Sequence, residues 1–373
     1  MSRPLQGRTI TQVLATSTGG VGTHVRGIAP YIVEAGADLR VVGPQSTQDL
    51  FQFTGAGARF AAVEIAGGPR PAQDAQAARR LRAATGDSDL VHAHGLRAAT
   101  VAAAANLGRR TPLVVTLHNT VDTDSPALRR AYAVLERFVA RSADVVIGAS
   151  ADLADRAREC GASYVLFREV AAPPMAPAQR SREDMRRELG VIADTPLLLC
   201  VGRLHPQKDY HTLIEAARIW HQHPARPEVM IAGDGPLENE LRREIDALGV
   251  RVRLLGRRSD VAELLAAADI VLMPSVWEAR SLVAQEAMRA GVALVSTTTG
   301  GMGELIGDAA YRIPVGDPTA LADAVRELID NPLRRAELAA AGQARAEGFP
   351  TQRDSAEALI DVYRELLGHG SNG

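Results

Sequence analysis

Cysteine is almost absent from this 373-residue chain. Cys160 and Cys200 stand far apart in no CxxC spacing, which excludes a disulfide framework and a cysteine-ligated zinc and fits a reducing cytoplasm. Net charge is nearly absent too: 42 basic and 44 acidic residues leave a formal charge of -2, too little to hold a nucleic-acid backbone, so no nucleic-acid partner is expected. No uncharged apolar run reaches the roughly 18 residues of a membrane-spanning helix, since the alanine-rich stretch after Arg97 is cut at Arg109. The first residues, up to Arg8, lead into a strand-like run interrupted by Gln12 and have no apolar core or small-residue cleavage site; export is not expected. Lysine is rarest of all. Of the 42 basic residues 41 are arginine, and Lys208 is the single compact, strongly hydrated ammonium in the chain.

What is present is apolar patterning, 46% hydrophobic residues over a length that predicts two domains. Short β-branched or leucine-rich runs alternate with amphipathic segments, the pattern of parallel, doubly wound sheets. The first half reads as strands at 10–15, 39–42, 61–65, 90–93, 113–117 and 145–147, with helices at 23–35, 74–84, 96–107, 126–141 and 151–159. The proline-rich stretch from Ala171 to Pro177 breaks this alternation. It resumes after a short helix at 182–189, with strands at 197–201, 229–232, 252–255, 270–273 and 293–296. Helices at 319–329, 333–346 and 351–367 end the chain. The expected organisation is an N-terminal Rossmann-like domain over 1–170, a linker over 171–181, a second Rossmann-like domain over 182–348 and a terminal segment over 349–373.

Polar motifs fall where strands end. Gly19, Gly20 and Gly22, with His24 just beyond, form a glycine-rich turn that opens a helix and lets backbone N–H groups approach an anion. A dinucleotide fingerprint is disfavoured, because Val25 stands where its third glycine belongs and the second strand has no acidic end. His92, His94 and His118 lie at two strand ends; a zinc site made of them lacks a nearby acidic residue to orient the imidazoles, and no metal is expected. Arg203 and Lys208, five residues apart before a helix, can grip a diphosphate as fork and point charge. Glu278 and Glu286, separated by seven residues, can face one ligand across a helix N-terminus and accept hydrogen bonds from paired hydroxyls.

Together the glycine turn, the His118 strand end, Gly202-Arg203 with Lys208, Ala232-Gly233-Asp234-Gly235-Pro236 and the two glutamates resemble the retaining glycosyltransferases of family 4. The resemblance implies an α/β GT-B fold, two doubly wound Rossmann-like domains facing across a cleft, with the last helix returning to the first domain. It implies a hexosyltransferase that uses no cofactor and takes a UDP- or GDP-sugar, with an unidentified acceptor. Arg203 and Lys208 match the residues that hold the donor diphosphate, Glu286 the one that binds the ribose, Glu278 the one that touches the donor sugar, and His118 the histidine beside that sugar. His118, Glu278, Arg203 and Lys208 are thus the implied catalytic set. Gly233, Gly235, Gly256, Arg280, Ser281, Leu282 and Val283 complete the implied donor site, while Gly19, Gly20, Gly22, His24 and His94 form the implied phosphate or acceptor loop.

Two features depart from the family pattern. Arg280 and Ser281 replace the apolar residue and glycine usual after the first glutamate, and 165–169 lacks the usual Pro-Asn-Gly turn. A GT-B epimerase and a non-catalytic sugar-nucleotide-binding or partner protein are the alternative readings. Residues 1–170 carry a balance of +4, and Arg129, Arg130, Arg137 and Arg141 share one helix. A solvated face is the preferred account of that helix and peripheral contact at the inner membrane face the second.

Overall fold

A computed structural model of the protein describes residues 3–121, 123, 125–192 and 194–369. The chain divides between Pro173 and Pro174 and again between Phe349 and Pro350, so the first unit takes both ends of the chain and the second takes its middle. In the first unit seven strands, β1 (Thr9–Leu14), β2 (Asp38–Gly43), β3 (Arg59–Ala62), β4 (Leu90–His94), β5 (Leu113–Leu117), β6 (Val145–Gly148) and β7 (Val165–Phe167), form one parallel sheet in the order 3-2-1-4-5-6-7. The second unit has six, β8 (Leu197–Val201), β9 (Glu228–Ala232), β10 (Val252–Gly256), β11 (Ile270–Met273), β12 (Ala293–Thr297) and β13 (Tyr311–Ile313), in the order 10-9-8-11-12-13.

Both sheets are buried on two faces, which is why their strands read as continuous apolar runs. In β8 the alternation is explicit: Leu198 and Cys200 enter one core, Leu197 and Leu199 the other. Several helices begin at a side-chain cap. Ser125 accepts from Leu128 N–H ahead of Pro126, and Asp317 accepts from Ala320 N–H ahead of Pro318. The terminal helix Gln352–His369 packs on helix Gly20–Glu34, with Arg353 over the Tyr31 ring at 4.8 Å and paired with Glu34 at 3.1 Å.

Three differences from the sequence reading have physical causes. β7 and β13 are three-residue edge strands, too short for a period-two signal. β3 lies earlier than the apolar run of 61–65, because its register pairs Arg40 with Arg59; Val63 and Ile65 are buried beyond the strand end. Gln12 does not interrupt β1: it pairs with Val41 and His92 in the sheet and is buried.

Candidate functional site

In each sheet the strand order reverses beside its first strand, and polar loops follow the carboxyl ends of the strands there, the usual place for ligands in such sheets.

In the second unit the loops after β8 and β11 are stitched together. Val276 N–H donates to the Gln207 carbonyl at 2.9 Å, and the Gln207 side chain donates to the Trp277 carbonyl at 2.8 Å. Across this seam the Lys208 ammonium forms an ion pair with Glu278, whose same oxygen also accepts from Ser275 Oγ at 2.9 Å. Both side chains are mostly buried, so the only ammonium of the chain and the first glutamate of the pair hold one another. Arg203 is exposed; its carbonyl accepts from His205 N–H at 2.9 Å, and its guanidinium makes no hydrogen bond or ion pair among the described residues.

Glycines make this close approach sterically feasible. A Cβ on Gly233 would stand 1.8 Å from the Gly202 carbonyl oxygen, and one on Gly235 2.4 Å from that of Leu204. Gly233 N–H donates to the Gly256 carbonyl at 2.8 Å, which ties the end of β10 to the same loops. Gly300, at φ 61°, lies against the Glu278 carbonyl, where a Cβ would come within 2.1 Å. The glycine pair Gly300-Gly301 after β12 is the one sequence feature from which this contact could have been found; nothing in the sequence singles out Gln207 or Ser275.

Ser281 caps helix Leu282–Arg289 by accepting from Ala284 N–H, so Leu282 and Val283 form its first turn. A serine therefore does capping work where the family pattern has glycine. Arg280 is buried, its guanidinium 5.4 Å over the Phe349 ring. One turn into the helix, burial raises the Glu286 carboxyl to about 7, opposed only in part by Arg289.

In the first unit the glycine turn lies within the helix itself. Gly19 is the N-cap, Gly20 the first helical residue, and Gly22 N–H donates to Ser17 Oγ at 3.3 Å. A Cβ on Gly22 would stand 2.1 Å from the Phe51 ring, so packing on helix Gln45–Phe51 demands this glycine whatever binds nearby.

Four histidines gather next to that turn. His94 Nδ1 and His118 Nε2 are 3.1 Å apart, one donating to the other, and the His24 ring lies 5.9 Å from the His94 ring and 5.5 Å from that of His118. Both nitrogens of His92 are engaged, with Thr116 Oγ1 at 2.7 Å and Tyr363 Oη at 2.6 Å. His92 therefore has no nitrogen left for a metal, and among the described residues no three His, Cys, Asp or Glu groups are placed to hold one. Burial lowers His24 to about 4; burial and then the charge of His24 lower His92 to about 3. Burial and neighbouring imidazoles hold His94 and His118 well below the ordinary value, so the cluster is neutral at pH 7. His94 Nε2 and Gln12 Oε1 are buried with no hydrogen-bond partner among the described residues.

Among the described residues no helix is long and apolar enough to cross a membrane.

Comparison with known proteins follows the same division. The profile of the family described as Glycosyl transferase 4-like domain matches 19–168, and that of Glycosyl transferases group 1 matches 181–345. D-inositol 3-phosphate glycosyltransferase of Kineococcus radiotolerans is 30% identical over 317 residues, 75% of this chain and 72% of the relative. A GDP-mannose-dependent monoacylated alpha-(1-6)-phosphatidylinositol monomannoside mannosyltransferase of Corynebacterium glutamicum is 35% identical over 203 residues, 51% of this chain; that match spans about half of the relative, 52%. Anabaena HepE, solved with UDP-glucose, superposes with a TM-score of 0.80 at 24% identity over 97% of this chain and 99% of its own. The architecture is the two-domain α/β GT-B fold. The chain belongs to the group 1 glycosyltransferases and is a glycosyltransferase, which does not favour the epimerase and non-catalytic readings.

Proposed function

We propose that this protein is a retaining, metal-independent glycosyltransferase that moves a sugar from a UDP- or GDP-sugar to a hydroxyl of its acceptor. The observation that carries the reading is the Lys208 and Glu278 pair, held by Ser275 where the loops after β8 and β11 meet. The leaving nucleoside diphosphate gains negative charge as the sugar becomes cationic, so stabilising that charge is the main task of the protein. Arg203 and Lys208 would neutralise it, with the helix start at Ser281 adding its free N–H groups. When a donor enters, Lys208 exchanges Glu278 for phosphate and frees the carboxylate to accept from sugar hydroxyls. Glu286 accepts from the ribose.

No carboxylate nucleophile is assigned. The reading therefore favours same-face attack in which the leaving phosphate takes the acceptor proton while His118, kept neutral, orients the sugar. HepE was solved with UDP-glucose and the Corynebacterium relative is named for GDP-mannose, which supports a nucleotide-diphosphate donor and leaves the choice of base to measurement. Location on the cytoplasmic side is part of the proposal. Arg129, Arg130, Arg137 and Arg141 are exposed on one helix, which suits a solvated face and also a peripheral contact at the inner membrane face.

The test is acceptor-dependent release of UDP or GDP from their hexose conjugates across an acceptor panel, with products read by mass spectrometry. Release that needs an acceptor and is lost in folded Lys208→Ala and Glu278→Ala supports the reading. Release without any acceptor, or full activity in both variants, contradicts it.

A further inference from the structure

The first unit contains a cavity of about 320 Å³ that none of the proposed donor residues touches. It lies beneath helix Pro126–Ser142, between the end of β5 and helix Ala151–Glu159. The helix above it is amphipathic, yet Val139 and Ala140 are its only buried residues, because the earlier part of its inner face stands over space rather than over side chains. An apolar space of this size, open at one end, has the dimensions of a small ligand pocket rather than of a packing defect.

Its lining is graded. Asn119, Thr120 and Arg129 are exposed and polar at one end, while Val146, Ala157 and Cys160 give it a buried apolar floor, and the Glu136 and Arg156 side chains that also line it are paired with each other at 2.7 Å. The polar end follows His118 directly in the chain, at the carboxyl end of β5. A ligand with an apolar part inside would thus leave its hydroxylated part next to the histidine cluster. The volume matches on the order of ten water-sized groups, at the small end of ligand pockets, and suits one short alkyl chain or one aromatic ring system.

We infer that this cavity receives an apolar alkyl or aryl moiety of the acceptor, so that the acceptor is an amphiphile with its hydroxyl at the Asn119 and Thr120 end. This rests on the glycosyltransferase reading and deepens it by naming the acceptor class. Residues at the floor have no task in that reading, so they serve as probes. Ala157→Leu fills the floor from within a helix that accepts leucine, and Ala133→Trp fills the space from the helix above it.

The test titrates the full chain with 1-alkanols from butanol to decanol, using displacement of anilinonaphthalene sulfonate, and measures transfer to methyl and octyl hexosides. A parallel titration with UDP and GDP reads the donor site separately. The expected result is an affinity that rises about fourfold per methylene until the cavity is full and then levels off. Ala157→Leu, or Ala133→Trp should the first not fold, lowers octanol affinity at least tenfold without altering the nucleotide response. Octyl hexosides are glycosylated at least tenfold faster than methyl hexosides, and the filled variants erase that preference. Alkanol binding that is independent of chain length or unchanged by the filling variants overturns the inference, as do equal rates on the two hexosides. Alkanol binding in the expected pattern without any nucleotide response supports the cavity and overturns the donor reading alone.

Discussion

The two units share a strand order and place polar loops at the same reversal of that order, yet they treat charge in opposite ways. The second unit keeps charge and pairs it: Lys208 with Glu278, while Arg203, five residues before Lys208, is exposed. The first removes charge, burying four imidazoles and a tyrosine hydroxyl in contact with one another. A leaving diphosphate requires the former, because only fixed cations offset a growing anion. Neutral hydrogen-bonding groups suit the reception of hydroxyls. One topology thus supports two kinds of site, and the difference lies in which side chains end the strands.

The sharpest way to break this comparison is acid. The folded histidines sit below the ordinary value near 6.5, so the unfolded chain takes up protons first. Stability from the cluster is full above about pH 6.5 and falls as pH drops toward 4, by up to about 1.4 kcal/mol per imidazole per pH unit. Urea unfolding at pH 7.5 and 5.5 should show a loss on the order of 5 kcal/mol, with amides of the first unit exchanging first. Equal stability at both values would mean that the imidazoles are hydrated.

Removal of charge tests the other unit. Lys208→Ala should lower turnover by about 10² to 10³ fold, the scale for losing a preorganised charged donor. Because the two groups hold one another, adding Glu278→Ala should cost less than the two single losses combined. The variants should be checked for fold by near-UV circular dichroism.

A smaller effect separates packing from chemistry in the first unit. Tyr363→Phe removes the partner of His92 Nδ1 and should cost about 1 to 3 kcal/mol in urea unfolding while leaving nucleotide binding unchanged.

The smallest effect concerns Glu286, whose sign is opposite to that of the histidines. Its folded value of about 7 lies above the ordinary carboxylate range, so its contribution to stability is full below about pH 4.5 and is lost as pH rises through 7. A ribose needs the ionised form as acceptor. Nucleotide affinity should therefore weaken up to tenfold per pH unit below about 7 in the parent and stay flat in Glu286→Gln, read by calorimetry.

Much of this was legible in the sequence. The β5 run Leu113–Leu117 and the helix Ala151–Glu159 have the bounds their patterns predict, because a buried central strand and an amphipathic helix each carry their own apolar pattern along the chain. Lys208 and Glu278 each stood out, one by rarity and one by its spacing from Glu286. Their pairing did not, since 70 residues separate them and only the seam through Gln207 brings them together. Gln12 looked like an interruption because its neighbour Tyr363 is 351 residues away. Gly22 looked like part of a phosphate loop, and its packing on Phe51 became visible only with helix Gln45–Phe51, which has no strong apolar period.

The most direct measurement of the central claim is a calorimetric titration of UDP, GDP and ADP into the parent protein, Lys208→Ala and Arg203→Ala. The account predicts saturable binding of UDP or GDP to the parent, weakened at least tenfold in each variant. Absence of binding by all three nucleotides, or an affinity that neither substitution changes, would contradict it.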